Sequence, residues 1–190
     1  MSVILASGSP RRKELLEMLG VEDLKIMPAK GEETAPEGLE PGELVMALAA
    51  QKGREVRELC NTEDVIIAAD TIVWHEGGVY GKPHDTEHAK AMLRSLAGRG
   101  HQVYTGVCVI RGGEEILRYN MSEVHFREMT DDEIEAYVAT GEPMDKAGAY
   151  GAQGKGAIFV ERIVGDFFNV MGLPLCTLGE MLKILGVRVL

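Results

Sequence analysis

At 190 residues and 45% hydrophobic content the chain can bury a full core, as one domain or two small lobes, with little room for two independent domains. A formal net charge of −10 speaks against a nucleic-acid or anionic-membrane surface, since non-specific binding to either is driven by basic patches. An anionic ligand then needs a local basic pocket or a bridging metal, and Cys60, Cys108 and Cys176, far apart and free of CxxC spacing, suggest neither a disulfide framework nor a zinc site.

Val3-Ile4-Leu5-Ala6 reads as a short buried strand that feeds the turn Ser7-Gly8-Ser9 and a helix from Pro10 to Leu19. Ser9 suits the N-cap, Pro10 the first helical position and Gly20 the left-handed stop, while Leu15, Leu16 and Leu19 form one apolar face. Arg11, Arg12 and Lys13 break the pattern. Cations on a first turn oppose the macrodipole and weaken the helix slightly, so loss of Arg11 or Arg12 is expected to leave stability unchanged or a little raised. A stability rule broken locally often marks a site, and free N–H groups beside two guanidinium forks suit a phosphate. The plain alternative is a solvated basic turn.

A strand near Leu24 to Met27 and a Glu- and Pro-rich loop from Gly31 to Gly42 come next. A helix from about Pro41 to Cys60 follows, with Leu44, Val45, Leu48, Ala49, Val56 and Leu59 as its apolar stripe. Lys52 falls on that stripe. A lysine there usually snorkels to the edge, but beside an anion pocket it becomes a candidate phosphate ligand.

Val65 to Val73 is the most apolar run in the chain and carries one acid, Asp70. A carboxylate in a buried strand needs a partner, a metal or a raised pKa, which makes Asp70 the first candidate for chemistry. A hairpin-like turn at Glu76-Gly77-Gly78 leads to the rigid segment Tyr80-Gly81-Lys82-Pro83, from which Lys82 is placed to reach whatever Asp70 holds.

A helix starting at Asp85 or Thr86 stops at Gly98, and strands from His101 to Ile110 and Glu115 to Phe126 form a long hairpin. Thr130 to Glu133 is a capping box opening a helix through Val138. The five histidines are scattered without metal spacing and read as surface or structural residues. The nine residues from Gly148 to Gly156 include four glycines, which allow backbone to approach a ligand closely. This is no Walker A loop, because Ala149 and Gly156 occupy positions that call for Gly and for Ser or Thr. A strand from Ala157 to Val164 and a final helix from about Pro174 to Leu185 complete the chain. No signal peptide and no run of membrane length is seen, so a cytoplasmic protein is expected.

Several blocks, taken in order, resemble the Maf family: Ser7-Gly8-Ser9-Pro10-Arg11-Arg12, Ala69-Asp70-Thr71-Ile72-Val73, Gly81-Lys82-Pro83, His101 to Val107, Glu142 to Gly148 and Asn169 to Leu175. The likeness covers essentially the whole chain. It implies an α/β fold similar to the inosine triphosphatase-like proteins, a long twisted mixed sheet flanked by helices. It also implies one domain over residues 1–190 with two lobes around a central cleft, and a nucleoside triphosphate pyrophosphatase in the cytoplasm, with a homodimer open. The segment Tyr150-Gly151-Ala152-Gln153-Gly154 resembles the branch acting on dTTP and UTP. By that likeness Asp70 is the proton acceptor, and Arg12, Thr71 and Gln153 are specificity positions. Gly53, where Ala is expected, and Ala152, where Ile is common, depart from the family pattern, with an expected effect only on local helix stability.

Hydrolysis between the α- and β-phosphates needs a water nucleophile, a base near it, and cations that hold the triphosphate. Asp70 is the expected base. Ser7, Ser9, Arg11, Arg12, Lys52 and Lys82 are the candidate phosphate ligands, and a divalent metal, Mg²⁺ or Mn²⁺, is expected on Glu33 and Asp70. The loop around Glu33 is rich in glutamates, and its ordinary role is solvated surface. Gln153 offers both amide donors and an acceptor to a pyrimidine edge. The competing class is a nucleotide-binding regulator of cell division, a septum formation inhibitor without turnover. Asp70 weighs against it, since a binding pocket for a triphosphate gains nothing from a bare carboxylate beside the anion.

Overall fold

The structure, a computed structural model, describes residues 1–21 and 23–188. Chain order is β1 (Val3–Leu5), α1 (Pro10–Met18), β2 (Leu24–Ile26), α2 (Pro41–Arg57), β3 (Val65–His75), β4 (Gly78–Tyr80), α3 (Thr86–Leu96), β5 (Gly100–Arg111), β6 (Glu114–Phe126), α4 (Asp131–Ala139), β7 (Val160–Val164), α5 (Phe167–Met171) and α6 (Leu175–Ile184). Short 3-10 turns cover Glu142–Asp145, Ala147–Ala149 and Lys155–Phe159. The strands form one seven-stranded mixed sheet in the order β2-β1-β3-β5-β6-β7, with β4 pairing β3. β1 runs parallel to both β2 and β3, while β4 and β7 pair antiparallel with β3 and β6. The first six residues of β3 are buried, as an apolar strand covered on both faces must be. Among the described residues no helix is long and apolar enough to cross a membrane.

The chain divides into two compact units. One comprises Met1–Asp70, Thr105–Asn120 and the chain from Gly172 on; the other comprises Thr71–Tyr104 and Met121–Met171. In the first, Ile4, Ala6, Ala49, Val56, Ile66, Ala68, Cys108 and Ile110 form a core between α2 and the sheet. The second is built on α3, α4 and the aromatic residues Phe126, Tyr137, Tyr150 and Phe159.

In the first unit α2 lies against the sheet at a distance only glycine permits. A Cβ at Gly53 would stand 2.9 Å from Cys108 Sγ and 3.3 Å from Ile110 Cδ1, and one at Gly106 would stand 2.6 Å from the Met46 backbone nitrogen. Gly53, read from the sequence as a small loss of helix propensity, is therefore the point at which the helix seats on β5.

Two boundaries depart most from the expectation, and one element was not expected. α2 ends at Arg57, short of Cys60. β7 starts at Val160 and not at Ala157, because residues 155–159 coil into a 3-10 turn. The five-residue α5 is too short to show a helical period in sequence. It is fixed by Asn169, whose Nδ2 donates to Val103 O at 3.0 Å and to Ser122 Oγ at 2.9 Å.

Candidate active site

The start of α1 holds the first group of candidates. Ser9 occupies the N-cap in extended conformation, but its side chain makes no capping hydrogen bond. Its backbone N–H instead donates to Ser7 Oγ at 3.2 Å, which bends the turn back on itself. Ser7 Oγ also accepts from Arg12 Nη1 at 3.1 Å, and Arg12 Nε donates to the carbonyl of Gly172 at 2.8 Å. Burial lowers the pKa of the Arg12 guanidinium, Asp70 and Glu33 pull it up, and Arg11 pushes it down. These two hydrogen bonds alter the expectation for Arg12. It pins the turn before α1 to the segment that leads into α6, so its loss costs stability even though a cation at that helix end is electrostatically unfavourable.

The second group joins α2 to β3. Asp70 is 8% exposed at the point where β3 leaves its fully buried stretch. Lys52, carried inward on the apolar face of α2, donates from Nζ to Asp70 Oδ1 at 2.6 Å and lies 2.9 Å from Glu33 Oε1. The buried carboxylate thus has its partner, and the inward lysine does not snorkel to solvent. The Lys52 side chain is 16% exposed and that of Asp70 12%, so this pair is shielded, whereas Glu33 at 56% stands at the solvent edge. Among the described residues no group of three or more His, Cys, Asp or Glu side chains is placed to hold a metal. The buried His75 and His101 rings contact Ser95 O at 3.1 Å and Tyr150 Oη at 2.8 Å.

The remaining candidates belong to the second unit. Thr71 follows Asp70 along β3 and is half-buried. Lys82 is exposed in the segment between β4 and α3. Gln153 is exposed in a tight turn that the Gly154 N–H closes on the Gly151 carbonyl at 3.2 Å.

A family model described as Maf-like protein matches residues 2–185. The chain belongs to the Maf family. Relatives described as dTTP/UTP pyrophosphatase from Bacillus cereus strain AH820 and from Bacillus anthracis are each 49% identical to this Maf chain over 181 residues, covering 95% of it and 94% of theirs. Among solved structures, a HAM1 protein from Coxiella burnetii superposes with a TM-score of 0.56 at 17% identity, covering 97% of this chain and 99% of its own. The Staphylococcus aureus Ham1 protein does so with a TM-score of 0.56 at 15% identity, covering 96% and 98%. At that identity the likeness speaks for the fold alone.

Two participants in the Maf site geometry escape a reading by residue type. The Gly172 carbonyl that anchors Arg12 is backbone, and nothing in a glycine marks its oxygen as an acceptor. Gly53, beside Lys52, suggests only weakened helix propensity until the close approach to Cys108 is known.

Proposed function

We propose that this Maf chain hydrolyses dTTP and UTP to the nucleoside monophosphate and pyrophosphate. The observation that carries the reading is the Lys52 ammonium set between Asp70 Oδ1 at 2.6 Å and Glu33 Oε1 at 2.9 Å, in the unit where Arg12 feels both carboxylates. A carboxylate shielded from water and held in place by a lysine is the kind of group a hydrolase uses to deprotonate water. The names of relatives 49% identical to the chain supply the substrate class.

In this account Asp70 receives the proton of the water that attacks across the α–β anhydride. Ser7, Ser9, Arg11 and Arg12, at the start of α1, bind phosphate oxygens together with Lys52 and Lys82. As charge shifts to the departing pyrophosphate these cations take it up, which lowers the barrier more than it tightens ground-state binding. Arg12, Thr71 and Gln153 are the specificity positions, with Gln153 offering donors and acceptor to the pyrimidine edge.

The same two carboxylates fit a divalent metal. They already converge on a single positive charge, and hard carboxylate oxygens suit Mg²⁺ or Mn²⁺. Asp70 and Glu33 would hold such an ion, which when bound supplies orientation of the phosphates and further charge neutralisation.

The test is a screen of dTTP, UTP, CTP, GTP and ATP with Mg²⁺ or Mn²⁺, with pyrophosphate and orthophosphate assayed separately. Pyrophosphate from dTTP and UTP is the expected result. Orthophosphate alone would mean a phosphatase, and saturable binding without turnover would favour the regulator.

A further inference from the structure

The glycine-rich segment encloses a protein carboxylate. Glu142, at the start of the 3-10 turn after α4, accepts from the Lys155 N–H through Oε2 at 3.0 Å and from the Gly156 N–H through Oε1 at 3.2 Å. Its Oε1 also accepts from the Tyr137 hydroxyl at 2.9 Å, and that hydroxyl oxygen in turn accepts from the Gly151 N–H at 3.2 Å. The turn 151–154 carrying Gln153 is therefore tied at both ends, at Gly151 through Tyr137 and at Lys155 and Gly156 through Glu142 itself.

The glycines follow from this wrapping. A Cβ at Gly154 would collide with the Glu142 carboxylate, standing 2.7 Å from its Cδ, and a Cβ at Gly156 would stand 2.7 Å from the Tyr137 hydroxyl. The close backbone approach that the sequence suggests for a ligand is made, at these two positions, to Glu142 and Tyr137. Burial opposes ionisation of Glu142, but the Lys155 and Gly156 N–H groups and the Tyr137 hydroxyl outweigh it and hold the pKa below the usual carboxylate value. The carboxylate is thus ionised when it orders the loop, and charge-assisted bonds of this kind are the stronger sort.

We infer that Glu142, with Tyr137 as its relay to Gly151, is the positioning group that fixes the Gln153 turn and so sets selectivity among the bases. The inference rests on Gln153 as the side chain that reads the base. Glu142 touches neither substrate nor the reacting phosphates in this account; it acts through the loop, so its removal should appear in KM and in base preference more than in kcat.

The experiment measures kcat and KM for dTTP, UTP, GTP and ATP on wild type, Gln153→Ala, Glu142→Ala, Glu142→Gln, Tyr137→Phe and the Glu142→Ala/Gln153→Ala pair. Glu142→Ala should lower the dTTP-over-GTP ratio of kcat/KM by about tenfold or more, mainly through KM for dTTP, because a loop displaced by about an ångström no longer presents its side chain. Glu142→Gln keeps one acceptor and Tyr137→Phe keeps the Lys155 and Gly156 bonds, so both should lose part of the ratio. The double variant should be no less selective than Gln153→Ala, since residues acting as one unit are not additive. Unchanged selectivity in Glu142→Ala and Glu142→Gln, with Gln153→Ala impaired, would overturn the positioning role while leaving Gln153 as the reader. An unchanged ranking in Gln153→Ala would overturn the reading of Gln153, and the inference with it. If Glu142→Ala does not fold, Glu142→Gln and Tyr137→Phe decide by the same ratio, and full wild-type selectivity in both would overturn it.

Discussion

Lys52 reaches Asp70 at 2.6 Å because the helix that carries it is pressed onto the sheet at the very next residue, Gly53. The strand positions the carboxylate, the helix positions the ammonium, and the distance between them is set by a contact with no charge in it, Gly53 against Cys108. Packing and chemistry meet in two adjacent residues.

Gly53→Ala should destabilise the protein despite its better helix propensity. The propensity gain is about 1 kcal/mol, while overpacking costs about 1–3 kcal/mol. A net loss near 1 kcal/mol is expected, together with reduced activity as Lys52 is lifted from Asp70. Pairing it with Cys108→Ala makes room for the new methyl. Denaturant unfolding of the four proteins in this cycle checks the account, and a stabilised Gly53→Ala would refute the close approach.

Lys52→Met removes the partner of a shielded carboxylate. Breaking such a pair is expected to cost about 3 kcal/mol, because Asp70 is left 8% exposed without its ammonium. Adding Asp70→Asn removes the stranded charge, so the double variant should be more stable than Lys52→Met alone. Equal stability of the two would show that Asp70 is not strained by the loss.

Arg12→Lys keeps the charge and loses the fork that spans Ser7 and Gly172. A lower melting temperature and activity reduced by about tenfold or more are expected, since a lysine cannot make both contacts with one planar group. Thermal unfolding and turnover measured together check this. Wild-type behaviour in both would make Arg12 a simple point charge.

His101 gives the fold a pH dependence of known sign. Burial, with the nearby His75 and His125 adding to it, holds its folded pKa down at about 3, against an ordinary value of 6.5. Below pH 6.5 the unfolded chain takes up a proton that the folded chain refuses. This contribution to stability is therefore complete above about pH 6.5 and drains as pH falls towards 3, by at most about 1.4 kcal/mol per pH unit. His101→Phe should show a shallower fall of stability between pH 6.5 and 4 than wild type. Identical slopes would place the titration elsewhere.

Much of this was legible in the sequence for a physical reason. An acid inside the run Val65 to Val73 and a lysine on an apolar helix face are each costly alone, so each announces a partner, and the structure makes them partners of one another. The basic turn at Arg11 and Arg12 stood out for the same reason. Less visible were features whose cause is a distance: the Gly172 carbonyl under Arg12, the seat of Gly53 on Cys108, and the folding of residues 151–156 around Glu142. Ser9 takes the N-cap position that its residue type suits, but its side chain makes no capping hydrogen bond and its N–H donates to Ser7 Oγ. The short 3-10 turns and α5 have too few residues for any periodicity to develop.

The central claim is that Asp70 takes the proton from water, and the most direct measurement is kcat of Asp70→Asn with saturating dTTP and Mg²⁺, beside its melting temperature and dTTP affinity. The amide can still accept from Lys52 but is a poor base, so kcat should fall by at least about a hundredfold with folding and affinity largely kept. Asp70→Asn turning over dTTP at close to the wild-type rate would contradict the account.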